Sequence, residues 1–306
     1  MIHSAPMASK RLHHDVCAFS IASADGATRA EIVPELGGIV SSLRLGDREC
    51  LFQYPWFWER HTEELRGGIP PLFPICGRLL QDGVRGQYRV GERPYVLPIH
   101  GFAMRLPWEV VAADRPDALR LRLTDTPETR AIYPFAFELD LLYVAAPEGL
   151  RCRLAVRNAG AEPLPFYVGF HPYFLTPAPG AGKEQTLFAA RPRRRHLYNA
   201  TKTDLVAETH PPAFPMAVAD VDVNELLLEL DADRATTLAF PDGFVLRQTA
   251  SPELRFRQFY TLPDQPFFCD EPWMAPPGSL NRPGAARILA PGDSAAGEIL
   301  LSAARG

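Results

Sequence analysis

The chain has 306 residues, 46% of them hydrophobic and 22% charged, with a formal net charge of −4. That length allows one large all-β or α/β domain or two ordinary ones, and the apolar content is ample for a sizeable core. The slightly acidic balance argues against a nucleic-acid partner, and the lack of any apolar run of about 18 residues argues against a membrane span.

Five cysteines, Cys17, Cys50, Cys76, Cys152 and Cys269, are odd in number and widely spread, with no C-x-x-C pair. Neither a zinc ribbon nor a redox motif is indicated. The start of the chain carries Lys10 and Arg11 but no apolar segment of the secretory kind. These features favour a reduced, cytoplasmic protein. Residues 1–14 read as a flexible N-terminal tail, and 15–306 as a single domain.

Strand signals dominate from there. Arg29 to Val33 is a short alternating run broken by Pro34 and Gly37-Gly38. Ile39 to Leu45 and Glu49 to Phe52 flank Gly46-Asp47, a hairpin turn signal. Residues 55–65 are aromatic and then charged, which suits a short helix. Arg66-Gly-Gly-Ile-Pro-Pro-Leu-Phe-Pro-Ile-Cys-Gly-Arg78 packs three prolines and three glycines into thirteen residues. Neither a helix nor an interior strand tolerates that density. This is an irregular loop, and loops on a rigid scaffold often carry function. Arg78 closes it and is a candidate ligand contact.

Gln87 to Val90 and Tyr95 to Leu97 form a second hairpin across Gly91-Glu92. His100-Gly-Phe precedes a strand at Trp108 to Ala112. Leu119, Leu121 and Leu123 alternate with Arg120 and Arg122. Phe135 to Tyr143 and Leu150 to Val156 alternate in the same way around a turn at Pro147-Glu-Gly149. The three predict an antiparallel meander with one wet face. Phe166 to Phe174, rich in aromatics and bracketed by Pro165 and Pro172, reads as a buried strand with His171 at its end. The basic run Arg191 to Arg195, interrupted by Pro192, reads as a solvated loop rather than a phosphate patch. Strands resume at Leu187, 226–230, 236–240, 244–249, 254–261 and 297–302. No long helical periodicity, internal repeat or linker is visible. The expected fold is all-β, a large antiparallel β-sandwich with few short helices.

Three titratable groups stand among aromatics, glycines and prolines: His100, His171 and Glu271. Each histidine alone is more readily a satisfied core residue than a catalyst. Glu271 lies in Phe267-Phe-Cys-Asp-Glu-Pro-Trp273 and needs a partner or a task, because burying a lone carboxylate is costly. In an extended segment Asp270 and Glu271 point to opposite faces, so only one can face a pocket. A His and a Glu facing each other make an acid/base couple in which each favours the other's charged form. Phe166, Tyr167, Tyr173, Phe174 and Trp273 offer flat apolar surfaces for a sugar ring, and Arg78 a polar partner for its hydroxyls. Two alternatives stand beside this. One is a metal site on the same three residues, which no short-spaced pair such as H-x-H supports. The other is a non-catalytic carbohydrate-binding β-sandwich.

Taken in order, Gly67-Gly-Ile-Pro-Pro-Leu-Phe-Pro-Ile-Cys-Gly-Arg-Leu79, His100-Gly-Phe-Ala103, Gly169-Phe-His-Pro-Tyr-Phe174 and Glu271-Pro-Trp273 resemble the aldose 1-epimerase (galactose mutarotase-like) family. Ile32-Val-Pro-Glu-Leu-Gly-Gly38 resembles that family's opening, so the resemblance covers nearly the whole chain. It implies a galactose mutarotase-like supersandwich, monomeric or dimeric, that interconverts the α and β anomers of a small aldose with no cofactor and no metal. By that resemblance Glu271 is the general base on the anomeric hydroxyl and His171 the general acid on the ring oxygen. His100 bonds near the reacting oxygens, and Arg78, Tyr173 and Trp273 hold the sugar. An acidic residue before the late strands completes the pattern, and Asp222 is the candidate. One departure is Met104, directly after His-Gly-Phe-Ala, where many relatives place an arginine; Arg105 follows it. Hexose-phosphate mutarotases of the superfamily hold phosphate with arginines. Arg66 and Arg105 are the candidates for that, so free sugar and sugar phosphate both stand.

Overall fold

The clearest alternation in the chain builds its largest sheet. In the computed structural model, which describes residues 8–13, 15–60 and 64–304, strands Ala118–Thr124, Phe137–Ala146 and Gly149–Asn158 form an antiparallel meander. Every second side chain of the middle strand is fully buried. Strand Ser294–Ala304 pairs on one side with Gly149–Asn158 and on the other with Val245–Ala250. A nine-stranded sheet results, running from Glu109–Arg115 at one edge to Met216–Ala217 at the other.

A second, eight-stranded sheet carries Pro192–Tyr198, Leu226–Leu230, Phe256–Tyr260 and Phe267–Trp273 through its middle. Its inner face meets the first sheet through aromatic pairs such as Phe188 with Phe259 and Phe268. A five-stranded sheet, from Ser9–His13 to Arg48–Glu49, packs on the meander. The sheets are antiparallel throughout the described residues, as an all-β sandwich requires. No helix among those residues is long and apolar enough to cross a membrane.

Four expectations need correction. The tail read over 1–14 contains a strand, Ser9–His13, paired with Val16–Ala22. Its side chains are nearly all exposed, so no apolar alternation announced it; residues 1–7 and 14 lie outside the description. The basic run is strand Pro192–Tyr198, not a loop. Pro192 sits at its first position, where a missing N–H is tolerated, and Arg191, Arg193 and Arg194 face Asp233, Asp231 and Glu208. Of the short helix expected over 55–65, residues 55–60 are mostly turns and 61–63 lie outside the description. The only α-helix of the described residues is Pro127–Ile132 instead, started by a capping box between Thr126 and Thr129. Six residues are too few to show a helical period. Finally, the apolar run Phe166 to Phe174 is not one strand but three short pieces, Leu164–Phe166, Gly169–Phe170 and Tyr173–Leu175.

Candidate active site

Strand Phe267–Trp273 is buried at every position, and its two-residue period divides two carboxylates between its faces. Asp270 turns inward and meets Arg257, which is fully buried, at 3.3 Å. Thr236 also donates to Asp270, and Gln248 donates to its backbone carbonyl. Glu271 faces the other way, into a cavity of about 360 Å³.

Register places His171 opposite it. Gly169 pairs with Trp273 and Tyr173 with Cys269, so the residue between them, His171, falls across from Glu271. His171 Nε2 lies 3.4 Å from Glu271 Oε2, with both side chains 3% exposed or less. The imidazole stacks on Tyr173, ring centroids 4.6 Å apart and planes 1° from parallel. Gly169 is required here: a Cβ would sit 2.7 Å from Pro272 O and 2.8 Å from Cys76 Sγ.

His100 comes from the loop after the second hairpin. Its N–H donates to Gly77 O and its Nδ1 accepts the Gly77 N–H at 3.1 Å. That reciprocal pair fixes the ring and leaves Nε2 for the cavity. The His100 ring centroid lies 5.0 Å from that of His171 and 5.8 Å from that of Trp273.

Burial sets the charge of this group. It pushes His171 down to about 3 and His100 well below the usual imidazole range, the latter helped by His171, Arg105 and Arg78. It pushes Glu271 well above the usual carboxylate range, helped by Glu225 and Asp270 and opposed by Trp273 and Arg78. Burial thus favours the neutral form on both sides of the pair, carboxylic acid and imidazole. This corrects the expectation that each partner favours the other's charge: with water excluded, desolvation outweighs their attraction.

Of the residues expected to hold a sugar, Arg78, Tyr173 and Trp273 line the cavity. Asp222 does not. It is exposed in a short turn, its N–H bonded to Asp220. Besides Glu271, the acids lining the cavity are Glu64 and Glu225, the latter three residues after Asp222 and directly before strand Leu226–Leu230; Glu225 carries the charged contacts with Lys202 and Arg78. Lys202 Nζ lies 2.8 Å from it and Arg78 Nη1 3.9 Å. Position before a strand was the usable signal, and Glu225 fits it better than Asp222. Phe166, Tyr167 and Phe174 pack into the core instead of the cavity.

Tyr54, Tyr198, Lys202 and Gln258 also line the site and were missed. Tyr198 and Lys202 lie on or after the strand read as a loop. The two arginines considered for phosphate are otherwise occupied: Arg66 donates to the carbonyls of Phe57 and Glu59, and Arg105 to those of Ile99 and Gly101.

Six described non-glycine residues have left-handed backbone, and three of them, His100, Lys202 and Glu225, line this one cavity. Such strain concentrates at functional sites. Chemically, the floor can pass a proton between a carboxyl and an imidazole 3.4 Å apart. His100, His171 and Glu271 also offer one donor atom each within 4.8 Å of one another, a set that a divalent transition metal can take.

A family model described as aldose 1-epimerase matches residues 21–302. Protein LacX (plasmid) of Lactococcus lactis subsp. lactis is 29% identical over 146 residues, 46% of each chain, so the match spans about half the length of that curated relative. The solved structure of the Slr1438 protein from Synechocystis sp. PCC 6803 superposes with a TM-score of 0.81 at 25% identity, covering 100% of both chains. That of a galactose mutarotase related enzyme from Lactobacillus acidophilus gives 0.79 at 23% identity, covering 94% of this chain and 97% of the other.

Proposed function

The chain belongs to the aldose 1-epimerase family, and from that premise we propose that it interconverts the α and β anomers of an aldose at Glu271 and His171. The observation that carries this reading is the facing pair at 3.4 Å on the floor of a cavity walled by Tyr173, Trp273 and polar groups.

The pair holds one proton in total. Sugar hydroxyls entering the dry floor hydrogen-bond to the carboxylate and so favour its ionised form. The proton then rests on His171. Glu271 removes the proton of the anomeric hydroxyl, the C1–O1 bond becomes a carbonyl, and the C1–O5 bond breaks as His171 protonates O5. Rotation about C1–C2 presents the other carbonyl face. O5 adds back to C1, returning its proton to His171, and Glu271 returns the other to O1. His100 Nε2, held by the Gly77 clasp, donates to O1 or O5 as charge builds there. Tyr173 and Trp273 supply the apolar walls. Arg78 and Glu225 hold the distant hydroxyls.

Polarimetry on freshly dissolved α-D-glucose and α-D-galactose tests this, with NMR exchange for phosphorylated sugars. Wild type accelerates equilibration, and Glu271→Gln loses about 10²–10⁴-fold. A chelator leaves the rate unchanged; loss of rate on chelation, restored by a divalent metal, would move the chemistry to a metal held by His100, His171 and Glu271. Folded protein that accelerates no aldose of a broad panel overturns the reading.

A further inference from the structure

The turn between strands Pro192–Tyr198 and Leu205–Thr209 is held from several sides at once. Asn199 Oδ1 accepts from the Thr203 N–H at 3.0 Å and from the Thr201 hydroxyl at 3.2 Å, and Asn199 Nδ2 donates to Thr203 Oγ1 at 3.2 Å. The Lys202 N–H donates to Asn199 O, also at 3.0 Å. From outside the turn, Arg282 meets Asp204 at 3.2 Å, and Gly278 packs so closely that a Cβ there would sit 2.4 Å from Thr203 O. This framework puts one side chain into the active cavity: Lys202, whose Nζ lies 2.8 Å from Glu225 Oε1.

Stability does not account for the pair. Both residues have left-handed backbone, φ +57° at Lys202 and +61° at Glu225, and the Lys202 side chain is 41% exposed. Two strained non-glycine residues cost more than an ion pair so open to water returns. Recognition of a sugar does account for it. Lys202 spends one of its three N–H donors on Glu225. Glu225 accepts that bond and a long one from Gln258 Nε2 at 3.4 Å, which leaves further acceptor positions on the carboxylate. A donor and an acceptor therefore stand 2.8 Å apart in the cavity wall. Two oxygens gauche on adjacent ring carbons lie about 2.9 Å apart, because staggered torsions fix them. The pair thus matches a vicinal diol, with Lys202 donating to one hydroxyl and Glu225 accepting from its neighbour.

We propose that Lys202 is a specificity-determining residue which, with Glu225, selects aldoses carrying two free adjacent hydroxyls besides the anomeric one. The proposal rests on the anomerase function given above and narrows its substrate class. Glucose and galactose both qualify, since an equatorial and an axial O4 are each gauche to an equatorial O3. A sugar deoxygenated or glycosylated at either oxygen of the diol does not.

Anomer exchange measured by NMR tests it with glucose and its 2-, 3-, 4- and 6-deoxy derivatives, on wild type and Lys202→Met. Two neighbouring ring positions are expected to matter. Loss of either hydroxyl lowers kcat/KM about 10-fold or more, the scale of one hydrogen bond to a charged group, and mainly through KM. The 6-deoxy sugar keeps every ring diol and serves as the control. Lys202→Met costs glucose a similar factor. It costs nothing further for the sugar that lacks the hydroxyl facing Lys202, because both deletions remove the same contact. An equal loss for every sugar in Lys202→Met would reduce Lys202 to a support for Glu225 and overturn the proposal. Sensitivity at no ring position, or at two that are not adjacent, overturns it as well, while the anomerase activity stands. Exchange of no sugar at all overturns the activity instead. Saturation-transfer NMR then decides the diol: glucose binding weakened by Lys202→Met and by the loss of either of two adjacent hydroxyls supports it, and no binding, or binding indifferent to these changes, overturns it.

Discussion

Glu271 and His171 form a pair whose protonation the cavity, not the pairing, decides. Free-enzyme pH dependence should show it. Because His171 is pushed down to about 3, kcat/KM is expected to lose nothing to imidazole protonation as pH falls from 7 to 5. An ordinary imidazole would give an inflection near 6.5, and a fall there would show that His171 is not desolvated. Stability carries the same signature with opposing signs. The depressed His171 contributes stability that is present above about 6.5 and lost as pH falls toward 3. The raised Glu271 contributes stability present below its ordinary value of 4.5 and lost as pH rises above it. Glu271→Gln removes the second contribution, so the variant should gain on wild type as pH rises above 4.5 in urea denaturation, even as its activity collapses; a pH-independent difference would show an unperturbed carboxyl. All three floor residues were legible in the sequence, because aromatics, glycines and prolines crowd each of them. Their charge states were not, since these depend on water exclusion by segments far apart in the chain. Glu225 was missed for a related reason: its neighbour Asp222 is the same kind of group, and only the fold shows which one turns inward.

Strand Phe267–Trp273 does two jobs at once, and its hidden face is as unusual as its active one. Asp270 and Arg257 are a fully buried ion pair, with Arg257 Nη2 also donating to Arg234 O at 2.7 Å. Breaking such a pair from one side leaves an uncompensated buried charge and costs about 3–5 kcal/mol, whereas replacing both partners costs much less. Arg257→Met is therefore expected to destabilise strongly in urea titration, and Arg257→Met with Asp270→Leu to recover most of the loss. A double variant no better than the single would mean that the two residues do not act as a pair. The loop holding His100 is equally constrained. Gly101 has φ +71° and a Cβ there would lie 2.1 Å from Phe73 O, so Gly101→Ala should displace His100 and lower both stability and anomerisation. The alternating strands were readable because one face is wet and the other dry. Ser9–His13 and Pro192–Tyr198 were not, because strands whose side chains are mostly exposed or charged lack that contrast. The loop from Arg66 to Arg78 could be recognised as irregular, but not that Arg66 is spent holding its neighbours' carbonyls.

The site exists only when the whole molecule is closed. Its floor and walls come from residues 54, 78, 100, 171, 198, 202, 225 and 271, so every third of the chain contributes. The last strand, Ser294–Ala304, is what joins the halves of the large sheet: it lies between Gly149–Asn158 of the meander and Val245–Ala250 of the later strands. One apolar cluster runs from Ile21 to Leu301 across the sheets without a break. With no linker in the sequence and no gap in the core, unfolding any one sheet exposes the others' inner faces. Calorimetry is therefore expected to give one transition, with van't Hoff and calorimetric enthalpies equal. A sugar that binds the native cavity should raise that single midpoint, by a free energy that grows with the logarithm of its concentration. Two transitions, only one of them moved by sugar, would instead divide the chain into two domains and place the cavity within one of them. Deleting residues 294–306 sharpens the test, because it removes the strand at the centre of the sheet: a single cooperative unit then fails to fold at all, whereas a two-domain chain keeps one transition.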